Sequence, residues 1–130
     1  MKYSKKIAKD FEESWKKVES FFTDAINAEG GKHLTPLLDL IHQFKERELH
    51  LHLRAGQSMY FLALTRARMH GGDYSVMIKI TTDKQGKFEI FRYEYQGESG
   101  NPRSHLTLVD PFSNDQFNSW IEELKSHEIT

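Results

Sequence analysis

The chain contains no cysteine. Disulfides, thiolate zinc sites, iron–sulfur clusters and thiol nucleophiles are therefore excluded. It lacks an excess of charge of either sign: 18 basic residues face 19 acidic ones, for a net charge of -1. Binding of a polyanion by bulk charge alone is excluded by that balance. Long apolar runs are missing too. The longest, Met59 to Leu64, is far short of the ~20 residues of a membrane span. The N-terminal Met1-Lys2-Tyr3-Ser4-Lys5-Lys6 is followed by no apolar stretch, so no signal peptide is expected and a cytoplasmic location is. Gly-x-Ser-x-Gly elbows, Walker loops and dinucleotide fingerprints are all absent from the sequence, so it implies no cofactor.

What is present reads as one globular domain over residues 1–130. Hydrophobic residues make up 38% and charged residues 28%, a composition able to form a core at this length. Ile7, Phe11, Trp15, Val18, Phe22 and Ile26 recur at spacings of three and four, which predicts an amphipathic helix. Ser4 is its expected N-cap and Gly30-Gly31 its stop. Thr35-Pro36 opens a second helix, with Leu37, Leu38, Ile41 and Phe44 on one face and a break near Arg47.

The period then changes to two. Glu48, His50, His52 and Arg54 alternate with Leu49, Leu51 and Leu53, which predicts a strand followed by a turn at Ala55-Gly56-Gln57. Ser58–Met69, Val76–Ile80 and Phe88–Tyr95 read as three more strands, joined by turns at Gly71-Gly72 and Gln85-Gly86. Residues 97–104 read as a flexible loop, and His105–Val109 as an edge strand. Ser113 and Gln116 fit a capping box for a last helix, with Phe112 and Phe117 as its staple. The expected fold is α+β. N-terminal helices precede a four- to five-stranded antiparallel meander, and a C-terminal helix packs on one sheet face.

If both glycine turns hold two residues, Ile80 pairs with Ala63 and Phe91. Phe61, Ala63, Val76, Ile78, Ile80, Phe91, Tyr93 and Tyr95 then form the core face. Leu62, Leu64, Met77 and Ile90 lie opposite, within a rim of basic side chains. A one-residue slip would exchange the two faces. Segment charges agree with a basic sheet: net zero over 1–48, +3 over 49–95 and -4 over 96–130.

The functional expectation is a small non-enzymatic binding protein of the regulator, inhibitor or toxin-immunity type, acting as a monomer or homodimer. It would recognise a protein partner through Arg54, Arg66, Arg68, Lys79, Arg92 and Arg103 around that apolar patch. The bland alternative is a sheet face covered by the second helix, with solvated arginine ends. Two other functions compete. The same basic residues could hold single-stranded nucleic acid, although the aromatics of a stacking platform are assigned to the core face. His50 and His52, aligned on one strand, could begin the metal site of an enzyme, but two half-exposed strand histidines are the commoner outcome.

Overall fold

The computed structural model describes residues 5–67, 76–94, 102 and 104–129. Helix α1 (Lys5–Asn27) and helix α2 (Thr35–Glu46) precede strands β1 (Arg54–Ser58), β2 (Phe61–Thr65), β3 (Val76–Thr82), β4 (Phe88–Glu94) and β5 (Ser104–Leu108), and helix α3 (Asp115–Ser126) follows. The strands form one antiparallel sheet in sequence order. This is the α+β arrangement that the periodicities predict. The expected cap at Ser4 and the Gly71-Gly72 turn lie outside the described residues.

Helix α3 buries the stripe that its spacing defines, and α1 does so except at the half-buried Ile26; α2 buries Leu40 in place of the expected Leu38, which is half-buried. Trp15, Val18 and Phe22 of α1, Leu37, Leu40, Ile41 and Phe44 of α2, and Phe117, Trp120, Ile121 and Leu124 of α3 join one cluster with Leu62, Leu64, Ile78, Ile80 and Ile90 of the sheet. Burying such side chains stabilises by about 1.5–3 kcal/mol each before conformational entropy is set against it. The Phe44 ring joins the three helices, lying 5.3 Å from Trp15, 5.0 Å from Phe112 and 6.3 Å from Phe117.

Helix α1 also closes one edge of the sheet. The buried Ser14 hydroxyl accepts a hydrogen bond from the Ala55 N–H at 3.0 Å and donates to the Phe11 carbonyl. The Trp15 indole N–H donates to the Leu53 carbonyl at 2.7 Å. An edge strand left bare offers unpaired backbone to other chains, and here α1 takes that place along β1.

Several local expectations are corrected. Residues 48–53 are not a strand. Leu49–Leu51 form a 3-10 turn entered through Glu48 at φ 60°. The leucine alternation imitates a strand, but Leu49 and Leu53, four apart, are the buried pair, and Leu51 is only half-buried. The segment expected to turn, Ala55-Gly56-Gln57, lies inside β1. The chain reverses instead at Met59-Tyr60, with Met59 at φ 55°. The cap of α3 is Asn114, whose Oδ1 accepts from the Phe117 N–H at 2.8 Å; Ser113 bonds Asp110. Thr35 is likewise inside α2 rather than its cap, and its hydroxyl donates to the Lys32 carbonyl.

The register correction has the largest consequence. Leu62 pairs with Ile80 and Leu64 with Ile78, while Ile80 pairs with Ile90 and Ile78 with Arg92. Both ladders sit one residue away from the expected alignment. For β3–β4 the cause is visible at the loop; the β2–β3 turn lies outside the described residues. Asp83 N–H donates to the Lys87 carbonyl at 2.9 Å and Gly86 N–H to the Asp83 carbonyl, so three residues turn the chain, with Gly86 at φ 81°. A left-handed glycine closing a three-residue loop is a standard hairpin solution. The Asp83 carboxylate secures it by accepting from the N–H groups of Gln85 and Lys87.

Candidate functional site: the open sheet face

Side chains alternate across a strand, so the observed register decides what each face carries. Leu62, Leu64, Val76, Ile78, Ile80, Phe88 and Ile90 point into the helix-covered core. The opposite face receives Phe61 and Ala63 of β2, Met77 and Lys79 of β3, Glu89, Phe91 and Tyr93 of β4, and His105 and Thr107 of β5. None of these belongs to the core cluster to which all three helices contribute. Phe61, Met77, Phe91 and Tyr93 are half-buried. Relative to the expected faces, Phe61, Ala63, Phe91 and Tyr93 have exchanged places with Leu62, Leu64 and Ile90.

On this open face the side chains engage one another across strands. The Phe91 ring is edge-to-face with Phe61 at 6.0 Å and stacks on the His105 imidazole at 4.5 Å with 3° between planes. The Lys79 ammonium lies 5.3 Å from the Tyr93 ring centre. Glu89 accepts from the Thr107 hydroxyl at 3.0 Å and meets His105 Nε2 at 2.6 Å. Cross-strand pairs of this kind contribute roughly 0.2–1 kcal/mol each. Together they hold an aromatic centre in fixed geometry beside a short polar row.

The six basic residues expected to rim the binding face do not stay together. Arg68 and Arg103 lie outside the described residues. Lys79 is on the open face. Arg54 stands at the start of β1 beside the groove that Lys17 and Phe21 of α1 also line. Burial pushes its pKa below the ordinary guanidinium value, and the charge of Asp10 opposes that shift. Arg66 turns the other way: its Nε–H donates to the His127 carbonyl at 3.0 Å and Nη1–H to the His52 carbonyl at 2.6 Å. Arg92, sharing a face with Ile78 and Ile90, reaches α3. It donates to Glu123 at 2.7 Å and to Glu94 at 2.7 Å. Burial disfavours its charge, but those two carboxylates outweigh it and raise the pKa. Arg66 and Arg92 therefore tie the sheet to the C-terminal segment.

His50 and His52 lie in and just after the 3-10 turn, so no strand aligns them. The buried Nδ1 of His50 has no hydrogen-bond partner. Burial lowers the pKa of both imidazoles below 6.5. Among the described residues no group of three metal-ligating side chains comes together. Also among them, no helix is long and apolar enough to cross a membrane.

Phe91 and Tyr93 reach the open face because the β3–β4 loop holds three residues rather than the expected two, and Phe61 because the β2–β3 ladder is also shifted by one. Asp83 three positions before Gly86 is the signal that would have corrected the count. The fold and its site define an α+β protein with a one-sided helical cover over a five-stranded antiparallel sheet. No protein-family model, no curated protein and no solved structure matches the chain.

Proposed function

We propose that this chain is a non-enzymatic binding protein that recognises a protein partner through the open sheet face, acting as a regulator, an inhibitor or a toxin-immunity protein. One observation carries the reading: Phe61, Met77, Phe91 and Tyr93 share a face to which no described helix contributes. Aromatic and methionine side chains are enriched in the centres of protein interfaces, where charged residues are depleted. The polar pairs of Glu89 with His105 and Thr107 supply a rim beside that centre.

A single-stranded nucleic acid is the second reading, because rings on neighbouring strands beside Lys79 are what base stacking uses. Two features weigh against it. The Phe91 ring is already stacked on His105, and Arg66 and Arg92 are committed to the helical side.

The test places a photo-crosslinking amino acid at Phe61, and separately at Lys16, whose side chain is exposed on α1. Each protein is irradiated in source lysate, and adducts are treated with nuclease or with protease. The expected result is one discrete protein adduct from position 61, none from position 16, and its loss in a Phe91→Glu background. Adducts of equal yield from both positions, or adducts removed by nuclease, would overturn the proposal; the nuclease-sensitive outcome would install the second reading. A crosslink to another copy of the chain would make the face a homodimer interface instead.

A further inference from the structure

A second site lies where α1 ends. A cleft of about 320 Å³ opens between the last turns of α1, the turn at residues 30–34 and the tip of the β1–β2 hairpin. That volume falls at the lower end of the range of small-molecule sites. Its aromatic wall is the pair Phe21 and Tyr60, with ring centres 6.3 Å apart and planes inclined at 36°. Tyr60 is 56% exposed, so its ring is not consumed by the core. The buried Leu34 forms part of the apolar lining.

The carboxylates of this cleft face no permanent cation within its described lining. Asp24 and Glu29 line it, and no lysine or arginine does among the described lining residues. The C-terminal end of a helix carries partial negative charge, which natural sequences usually offset with a basic residue in the last turn. Helix α1 has none there, and Asp24 adds a carboxylate of the unfavourable sign. His33 Nδ1 lies 3.0 Å from the Gly30 carbonyl, an acceptor, so the ring donates there. Gly31 keeps the turn close against α1: a Cβ at this position would stand 1.7 Å from the Ala25 carbonyl oxygen.

We infer that this cleft binds a small organic cation with an alkylated ammonium group. The Phe21 and Tyr60 rings meet its methyl or methylene groups, and Asp24, Glu29 and the end of α1 complement its charge. Ring faces attract a desolvated ammonium by cation–π interaction, and the carboxylates supply the longer-range attraction that a neutral ligand would not feel. The site is separate from the open sheet face, and its occupancy does not depend on the function proposed for that face.

The experiment is a titration of the isotopically labelled full chain with choline at pH 8, read by amide chemical shifts. The neutral isostere 3,3-dimethylbutan-1-ol is titrated in parallel. Choline is expected to shift the amides of residues 28–34 and Tyr60 in a saturable way, and the alcohol to bind about tenfold more weakly, from a cation–π contribution of about 1–2 kcal/mol. Tyr60→Phe should keep the affinity. Tyr60→Leu should lose most of it, and so should the Asp24→Asn/Glu29→Gln double variant, with the rest of each spectrum unchanged. Equal binding of choline and the alcohol, equal binding by Tyr60→Leu and Tyr60→Phe, or no saturable shift with choline would each overturn the inference.

Discussion

Read as surface, Arg66 should accept charge reversal without loss of stability; the structure predicts a large loss even for a gentler change. Arg66→Met keeps most of the aliphatic stem and removes the donors. Two charge-assisted hydrogen bonds disappear, to the carbonyls of His127 and His52. Such bonds contribute about 1.5–3 kcal/mol each when well buried. Both are only partly buried here, so water recovers some of that, and about 2 kcal/mol is expected in total. At about 2.1 cal/mol/K of unfolding entropy per residue, 130 residues give about 0.27 kcal/mol/K. The Tm should fall by about 7 °C. The loss has a location as well, because the two carbonyls belong to the residue that closes the 3-10 turn and to the tail after α3. Hydrogen exchange should therefore accelerate at the end of α3 before it does in β3. Lys79→Glu, on the open face, is the control and should move Tm by less than about 2 °C. Calorimetry of both variants decides the matter: an Arg66→Met shift no larger than that of Lys79→Glu would refute the assignment of Arg66 to an internal tie.

Three further outcomes follow from local geometry. Ser14→Ala leaves the buried Ala55 N–H without its acceptor, so the urea midpoint should fall by an amount equivalent to about 1–2 kcal/mol; an unchanged midpoint would mean that α1 does not seal the β1 edge. Met59→Gly relieves a left-handed backbone at a side chain that is 76% exposed, and should raise stability by about 0.5 kcal/mol once the added freedom of the unfolded chain is counted, as thermal unfolding would show. For His50 and His52, burial holds the folded pKa values below 6.5, against the opposing charge of Glu48. The unfolded chain then binds more protons between those folded values and 6.5, so stability is full above about pH 6.5 and declines as pH falls through that window. In denaturation titrations at pH 7.5 and 5.5, a His50→Gln/His52→Gln variant should lose less stability over that interval than the parent does.

The sequence made the helices legible because each is long enough to show its period several times. Ile7, Phe11, Trp15, Val18 and Phe22 state one face of α1 through about four turns, and burial follows them. Short elements had no such redundancy. Leu49, Leu51 and Leu53 satisfy period two over only five residues, and a buried pair at spacing four satisfies a turn equally well. Trp15 settles the choice from 38 residues away by bonding the Leu53 carbonyl, a long-range fact that local pattern does not contain. Ala55-Gly56-Gln57 looks like a turn for the same reason, although its strand geometry is imposed by Ser14 on one side and β2 on the other.

The β4 half of the candidate site depended on a smaller matter still, the number of residues in one loop. Strands β2, β3 and β4 are apolar on both faces near their centres, so hydrophobicity did not oppose a slip of one residue. With two residues at Gln85-Gly86, Phe91 and Tyr93 would be core and Arg92 would rim a binding face. With three, secured by Asp83, the rings come out and Arg92 goes in to Glu123. The side chains that point outward are the ones packing does not require, and four of the largest of them, Phe61, Met77, Phe91 and Tyr93, are apolar or aromatic. Burying a large apolar side chain is worth about 1.5–3 kcal/mol. A sheet face that leaves four of them half-buried retains part of that driving force for association. The three-residue loop therefore links the Asp83 carboxylate to the proposed function: it decides that Phe91 and Tyr93 are among the rings a partner would meet.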